Sequence, residues 1–151
     1  MTSSSLNADR PVLPDGLVAV VKRDCPTCVD IVPVLEQLSH GGPGVTVYTQ
    51  DDSNFPETVE TRIYDQELEV SWYYEVETVP TLMFIQDGNE MARTVGWSRS
   101  NWEALTGVDD LGEGLPEMRP GCGSLSVDPN LVDSLARKFG YSSLKSRQVE
   151  I

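Results

Sequence analysis

The sequence predicts an α/β domain with a central mixed sheet of about four strands flanked by helices, in the order β-α-β-α-β-β-α, plus an extra C-terminal helix. Three observations carry this. Leu17 to Lys22 is a continuous apolar, β-branched run without alternation, the pattern of a strand buried on both faces. Val29, Val32, Leu35 and Leu38 then fall at helical spacing, with Ile31 and Val34 beside them. Farther on, the apolar runs Thr81 to Gln86 and Met91 to Val95 flank Asp87-Gly88-Asn89, the sequence of a tight hairpin turn.

Each element follows in order. Residues 1–16 contain Ser3, Ser4, Ser5, Pro11, Pro14 and Gly16 and read as a flexible lead-in. The first strand ends in the basic pair Lys22-Arg23, and Asp24-Cys25-Pro26-Thr27-Cys28 joins it to the first helix, which Gly41-Gly42-Pro43-Gly44 terminates. Val45 to Thr49 reads as a second strand and residues 51–54 as a turn. From Pro56 to about Tyr74 the residues Val59, Ile63, Leu68 and Trp72 recur semi-periodically, so a whole or broken acidic helix is expected there. Ser98 or Ser100 would cap a helix over Ser100 to Leu105, closing a domain over 17–106. The remainder, 107–151, reads as an extension. Its residues 107–127 are rich in Gly, Pro and Asp and suit an ordered loop or linker. Asp128-Pro129 then supplies an N-cap and an N1 proline for an amphipathic helix striped by Leu131, Leu135 and Phe139 and stopped at Gly140, which should dock on the main domain.

Composition bounds the function. In 151 residues, 39% hydrophobic and 23% charged content permits a packed core. The net charge of −13 argues against gripping nucleic acid or an anionic membrane by bulk charge. No run approaches the roughly 20 apolar residues of a membrane span. Three cysteines are too few, and odd in number, for a disulfide scaffold, and Met1 to Arg10 lacks a basic start and an apolar signal core. The expectation is an acidic cytoplasmic protein in a reducing compartment. Its charge is uneven: Asp51 to Glu77 holds nine acids against one base, Arg62. A solvated face accounts for this, and an electrostatic filter on partners is the functional alternative.

Cys25-Pro26-Thr27-Cys28 lies between a buried strand and a helix, and that placement says more than the spacing. Cys25 would occupy the N-cap and Pro26 the N1 position, where a missing N–H costs nothing. Free amides and the positive helix end would favour a Cys25 thiolate as the exposed nucleophile, with Cys28 one turn away as a shielded resolving thiol. Lys22 and Arg23 favour the thiolate and Asp24 opposes it, so charge alone does not sign the shift. Two other readings stand beside this one. A zinc site would have to recruit His40 and Cys122, and no second closely spaced pair exists; alternatively, both cysteines are structural and inert. His40, beside a glycine-rich helix end, reads as a helix C-terminal contact and is assigned no catalysis.

With these residues in place, the chain resembles the thioredoxin-like superfamily over about residues 17–106. Pro33, five residues after Cys28, matches the kink-forming proline of the active-site helix. Thr78-Val79-Pro80-Thr81-Leu82 looks like the cis-proline segment, with Phe84, Gly88 and Gly96 following at matching spacing. The resemblance implies a thiol–disulfide oxidoreductase with Cys25 as nucleophile and Cys28 as resolving cysteine. Pro26, Thr27, Val79 and Pro80 would line the substrate groove, and Trp72 and Tyr74 would lie near it or pack in the core. No metal and no cofactor beyond the Cys25–Cys28 disulfide is implied. Its partners would be a disulfide-containing protein or a low-molecular-weight thiol substrate and an unidentified reductase. The departures are specific. Ala19 stands where thioredoxins bury an acid that helps deprotonate the resolving cysteine, and Asp24 replaces the usual tryptophan. The connection from Thr49 to Val79 is long, and Gly96-Trp97-Ser98 replaces the second half of a glutathione site.

Arg119-Pro120-Gly121-Cys122-Gly123-Ser124 lies in the extension, outside the resemblance. Cys122, flanked by glycines and near Arg119, is a candidate additional redox residue; its alternative is an inert thiol in a turn. The competing function for the whole chain is a binding module or redox sensor that uses the Val79-Pro80 groove with little turnover.

Overall fold

The computed structural model describes residues 10–127. The lead-in before residue 10 and the expected helix from Asp128 onward lie outside the described residues. The strands, in chain order, are β1 (Gly16–Val21), β2 (Thr46–Thr49), β3 (Arg62–Tyr64), β4 (Thr78–Val79), β5 (Thr81–Gln86), β6 (Asn89–Val95), β7 (Trp97–Ser98), β8 (Met118–Arg119) and β9 (Cys122–Gly123). The helices are α1 (Pro26–Asp30), α2 (Val32–Ser39), α3 (Glu69–Tyr73) and α4 (Arg99–Thr106), with a short 3-10 turn at Leu125–Val127.

A five-stranded sheet runs β3-β2-β1-β5-β6. β1 pairs in parallel with β2 and antiparallel with β5, so it is central and its residues Val18 to Val21 have no exposed surface. The β5–β6 hairpin turns through Asp87 (φ 55) and Gly88 (φ 77), the paired positive φ angles of a type I′ connection.

The first helix is two helices. Pro33 has no amide to give the Val29 carbonyl, and the ladder breaks at Ile31 (φ −92, ψ 7) before resuming with Val34 and Leu35 donating to the Ile31 carbonyl. Val34, Leu35 and Leu38 then bury one face of α2 against the sheet. α4 is capped at Ser98, whose hydroxyl accepts from the Asn101 amide.

The expected helix over Pro56 to Tyr74 is the main difference. Only Glu69–Tyr73 is helical, and β3 forms a fifth strand instead. The edge of β2 needs backbone partners, and Arg62, Ile63 and Tyr64 supply them opposite Val47, Tyr48 and Thr49. α3 starts late because Leu68 is left-handed (φ 58), and Asp65 provides the N-terminal acceptor for the Val70 and Ser71 amides and the Ser71 hydroxyl.

Part of the lead-in also differs from expectation. Leu13 is buried in the core, the Pro11 carbonyl accepts from the Tyr74 hydroxyl at 2.6 Å, and Asp15 accepts from the Gly88 amide at 3.2 Å. One apolar side chain, one backbone carbonyl and one carboxylate tie down residues 11–15.

Residues 107–117 form an ordered loop held by Arg99. Its guanidinium donates to the carbonyls of Leu111, Gly112 and Leu115 at 2.9, 2.8 and 2.6 Å and to Glu117 at 2.6 Å. Trp97 and Trp102 pack edge-to-face beneath it, with centroids 5.4 Å apart, and their indole N–H groups donate to Pro116 and Gly96.

Candidate active site at the dithiol and its covering strand

β1, the central strand, ends at Val21, and the next residues are held by one carboxylate. Asp51 accepts from the Arg23 amide at 2.7 Å and the Asp24 amide at 2.9 Å. Arg23 itself pairs with Asp52 at 2.7 Å, so its charge is spent there rather than on the thiols. These contacts deliver Cys25 to the N-cap of α1 with extended backbone (φ −156, ψ 111) and Pro26 at N1.

Cys25 Sγ accepts from the Cys28 amide at 3.3 Å, and its thiol donates to the Val79 carbonyl at 3.7 Å. The Val79–Pro80 peptide bond is cis. The Cys25 thiol is lowered to about 5, first by hydrogen bonding from the Cys28 thiol. Burial works against this, and a further hydrogen bond from the Cys122 thiol and the backbone amides of Cys28 and Thr27 reinforce it. The shift left unsigned by Lys22, Arg23 and Asp24 is therefore downward, and its leading favourable causes are donors aimed at the sulfur. Burial pushes the Cys28 thiol well up, and its contact with Cys25 adds to that. Ala19, in the position of the missing acid, is fully buried.

The structure corrects one expectation here. Cys25 was expected to be the exposed thiol and Cys28 the shielded one, but Cys25 is only 1% exposed and Cys28 0%. The cover comes from the extension. β9 pairs antiparallel with β4, Val79 opposite Cys122 and Thr78 opposite Gly123, and β8 pairs with β7. Around this strand the Thr27 hydroxyl donates to the Pro120 carbonyl and Lys22 to the Gly123 carbonyl, each at 2.7 Å, and Arg119 pairs with Asp30. Beyond it, Gln50 donates to the hydroxyls of Ser71 and Ser124 at 2.8 and 2.7 Å and accepts from the Leu125 amide at 3.1 Å. A Cβ on Gly121 would sit 2.3 Å from the Val79 carbonyl oxygen, so only glycine permits this approach.

Of the residues expected to line a groove, Val79 and Pro80 lie buried beneath the strand, Thr27 bonds to it, and Pro26 is exposed beside it. Trp72 and Tyr74 are buried, Tyr74 in the main core. Cys122 is half-buried and joins the dithiol, whereas His40 ends α2. No group of three or more His, Cys, Asp or Glu suited to a metal occurs among the described residues, nor any helix long and apolar enough to cross a membrane. Gln50, Arg99 and Gly121 escaped sequence reasoning; the glycines flanking Cys122 were the one available signal.

Scanned against models of known families, the chain matches none. Among curated proteins it is 35% identical over 95 residues to the thioredoxin of Chlamydia pneumoniae, covering 62% of this chain and 80% of that one. It is 33% identical over 72 residues to the thioredoxin of Chlamydia trachomatis serovar D, covering 48% and 59%. Among solved structures it is similar to MTB dsbF at 22% identity (60% of this chain, 77% of that one, TM-score 0.49). It is also similar to thioredoxin O2 of Arabidopsis thaliana at 26% identity (70% and 86%, TM-score 0.41).

Proposed function

The chain belongs to the thioredoxin family and is a thiol–disulfide oxidoreductase, and from that premise we propose that Cys25 is its nucleophile and Cys28 its resolving cysteine. The observation that carries this reading is the donor set converging on Cys25 Sγ, which holds the thiol at about 5 and hence ionised at neutral pH.

The cycle follows from these groups. Cys25 thiolate attacks one sulfur of a substrate disulfide; the new Cys25–S bond forms as the substrate S–S bond breaks, and the departing thiolate takes up a proton. Cys28 then loses its proton and attacks Cys25 Sγ, which releases the second substrate thiol and leaves a Cys25–Cys28 disulfide. The substrate has gained two electrons, and a reductase must return two to the protein. Cys28 is buried, its thiol is pushed up, and Ala19 stands in place of the assisting acid, so resolution is the slow step. A protein disulfide or a low-molecular-weight mixed disulfide fits this chemistry. A cytoplasmic setting belongs to the same proposal, supported by the low cysteine count; a dithiol found mostly oxidised in growing cells argues against it.

The test is trapping. The double variant Cys28→Ser/Cys122→Ser, which lacks both thiols able to release it, accumulates a covalent adduct at Cys25 when incubated with a disulfide-bonded peptide, seen as a mass increase that dithiothreitol removes. The double variant without an adduct, or an adduct that persists in Cys25→Ser, contradicts the assignment.

One observation favours a second reading. Cys25 is closed over by the extension, which suits a slow redox sensor using the Val79-Pro80 groove. A turnover with reductant no faster than the uncatalysed reaction supports the sensor over the enzyme.

A further inference from the structure

The extension brings a third thiol to the dithiol and lays its backbone on β4 as an added strand. Cys122 faces Val79, whose carbonyl already contacts Cys25, and its thiol meets that of Cys25. The placement is built rather than incidental. Gly121 carries no side chain where a Cβ would collide with Val79, Thr27 and Lys22 hold the carbonyls on either side of Gly121-Cys122, and the buried Gln50–Ser124 contact pins the strand's far end.

We propose that residues 118–124 are an intramolecular substrate strand and that Cys122 is a third redox residue, exchanging with the Cys25–Cys28 disulfide to form a Cys25–Cys122 disulfide. This rests on the dithiol reading above. In the exchange Cys122 gives up its proton and its sulfur attacks Cys25 Sγ. The Cys25–Sγ122 bond forms, the Cys25–Cys28 bond breaks, and its electron pair leaves on Cys28, which takes the proton. One disulfide replaces another with no net oxidation; the oxidising equivalents are those the dithiol has already taken from a substrate. The strand is then locked over the groove, and an incoming disulfide must wait until an external thiol or the reductase has returned two electrons and freed the Cys25 thiolate. In the reduced protein the same strand competes reversibly with substrate at an intramolecular effective concentration.

The test uses the full chain. Reduced wild type, Cys28→Ser, Cys122→Ser and Gly121→Val are oxidised with diamide at pH 7 and quenched with N-ethylmaleimide in acid. Their disulfides are then mapped by peptide mass spectrometry. Wild type is expected to yield both Cys25–Cys28 and Cys25–Cys122 linkages, and monomeric Cys28→Ser chiefly Cys25–Cys122. Gly121→Val retains all three cysteines and should lose the Cys25–Cys122 linkage at least about tenfold, because its side chain pushes the strand off β4. Wild type with only Cys25–Cys28, Cys28→Ser monomers keeping both thiols, or a Gly121→Val yield equal to wild type each overturns the proposal. Cys122→Ser separates the two levels. If it forms Cys25–Cys28 and reduces insulin while Cys28→Ser forms no Cys25–Cys122, only the internal substrate falls. If it does neither, the dithiol reading falls with it.

Discussion

Cys122 lies directly opposite Val79 in an antiparallel pair, and Val79 is the residue whose carbonyl receives the Cys25 thiol at 3.7 Å. The extension therefore passes beside the reacting sulfur and is part of the active site's wall. This relationship governs how the thiols ionise, how substrate reaches them and what holds the cover down.

Ionisation comes first. Thiolate absorbance at 240 nm should rise with a midpoint near 5 in the reduced protein and vanish in Cys25→Ala. Both Cys28→Ala and Cys122→Ala should raise the midpoint, Cys28→Ala more, because its thiol is the larger cause; loss of one hydrogen bond to a charged group moves a pKa by about one unit. Equal midpoints in all three proteins would refute the donor account.

The same shift makes stability depend on pH. A thiol whose pKa is lower folded than unfolded stabilises the fold fully above its unfolded value of about 8.5 and ceases to do so as pH falls through the folded value. With the folded value at about 5, the denaturation midpoint of reduced wild type relative to Cys25→Ala should decline from pH 8.5 to 5. A difference constant over that range contradicts this.

The cover should be loosened by one buried bond. Thr27→Val removes the hydroxyl that donates to the Pro120 carbonyl and leaves that acceptor unpaired, at about 1–3 kcal/mol against docking. Alkylation of Cys25 by iodoacetamide should quicken by about tenfold. No change in rate would show that Pro120 does not hold the strand.

Arg99 holds the loop that leads to the strand. Arg99→Met strips donors from Leu111, Gly112 and Leu115 and should cost about 2–4 kcal/mol of stability, with faster amide exchange across 111–123. Exchange that quickens only around residue 99 would mean the loop is held by other contacts.

The acidic stretch divides into two roles. Asp65→Ala leaves two amides and the Ser71 hydroxyl without their acceptor and should destabilise by about 3 kcal/mol, whereas the exposed Glu60→Gln should change stability by less than about 0.5 kcal/mol. Equal effects in chemical denaturation would contradict this division.

Much of this fold is legible in the sequence. The apolar run into β1, the helical spacing of Val29 to Leu38 and the Asp87-Gly88 turn are local signals, and the structure keeps them because local preference and burial agree. The CxxC at a strand–helix junction likewise placed Cys25 at an N-cap. The acidic connection misled for a physical reason. Val59, Leu68 and Trp72 mimic one helical stripe, yet Val59 is buried from a turn and Leu68 and Trp72 from the start and body of the short α3, while Ile63 sits 46% exposed on an edge strand whose value lies in backbone pairing. The covering strand was invisible for another reason. Its register depends on Gly121 meeting Val79 and on Arg99 meeting carbonyls of the 107–117 loop, contacts between chain segments that no local pattern encodes.

The most direct measurement is the rate of dithiothreitol-driven insulin reduction by full-length wild type against Cys25→Ser. Catalysis that is present in wild type and reduced to the uncatalysed rate in Cys25→Ser is the result this account requires. Equal rates in the two proteins would contradict it.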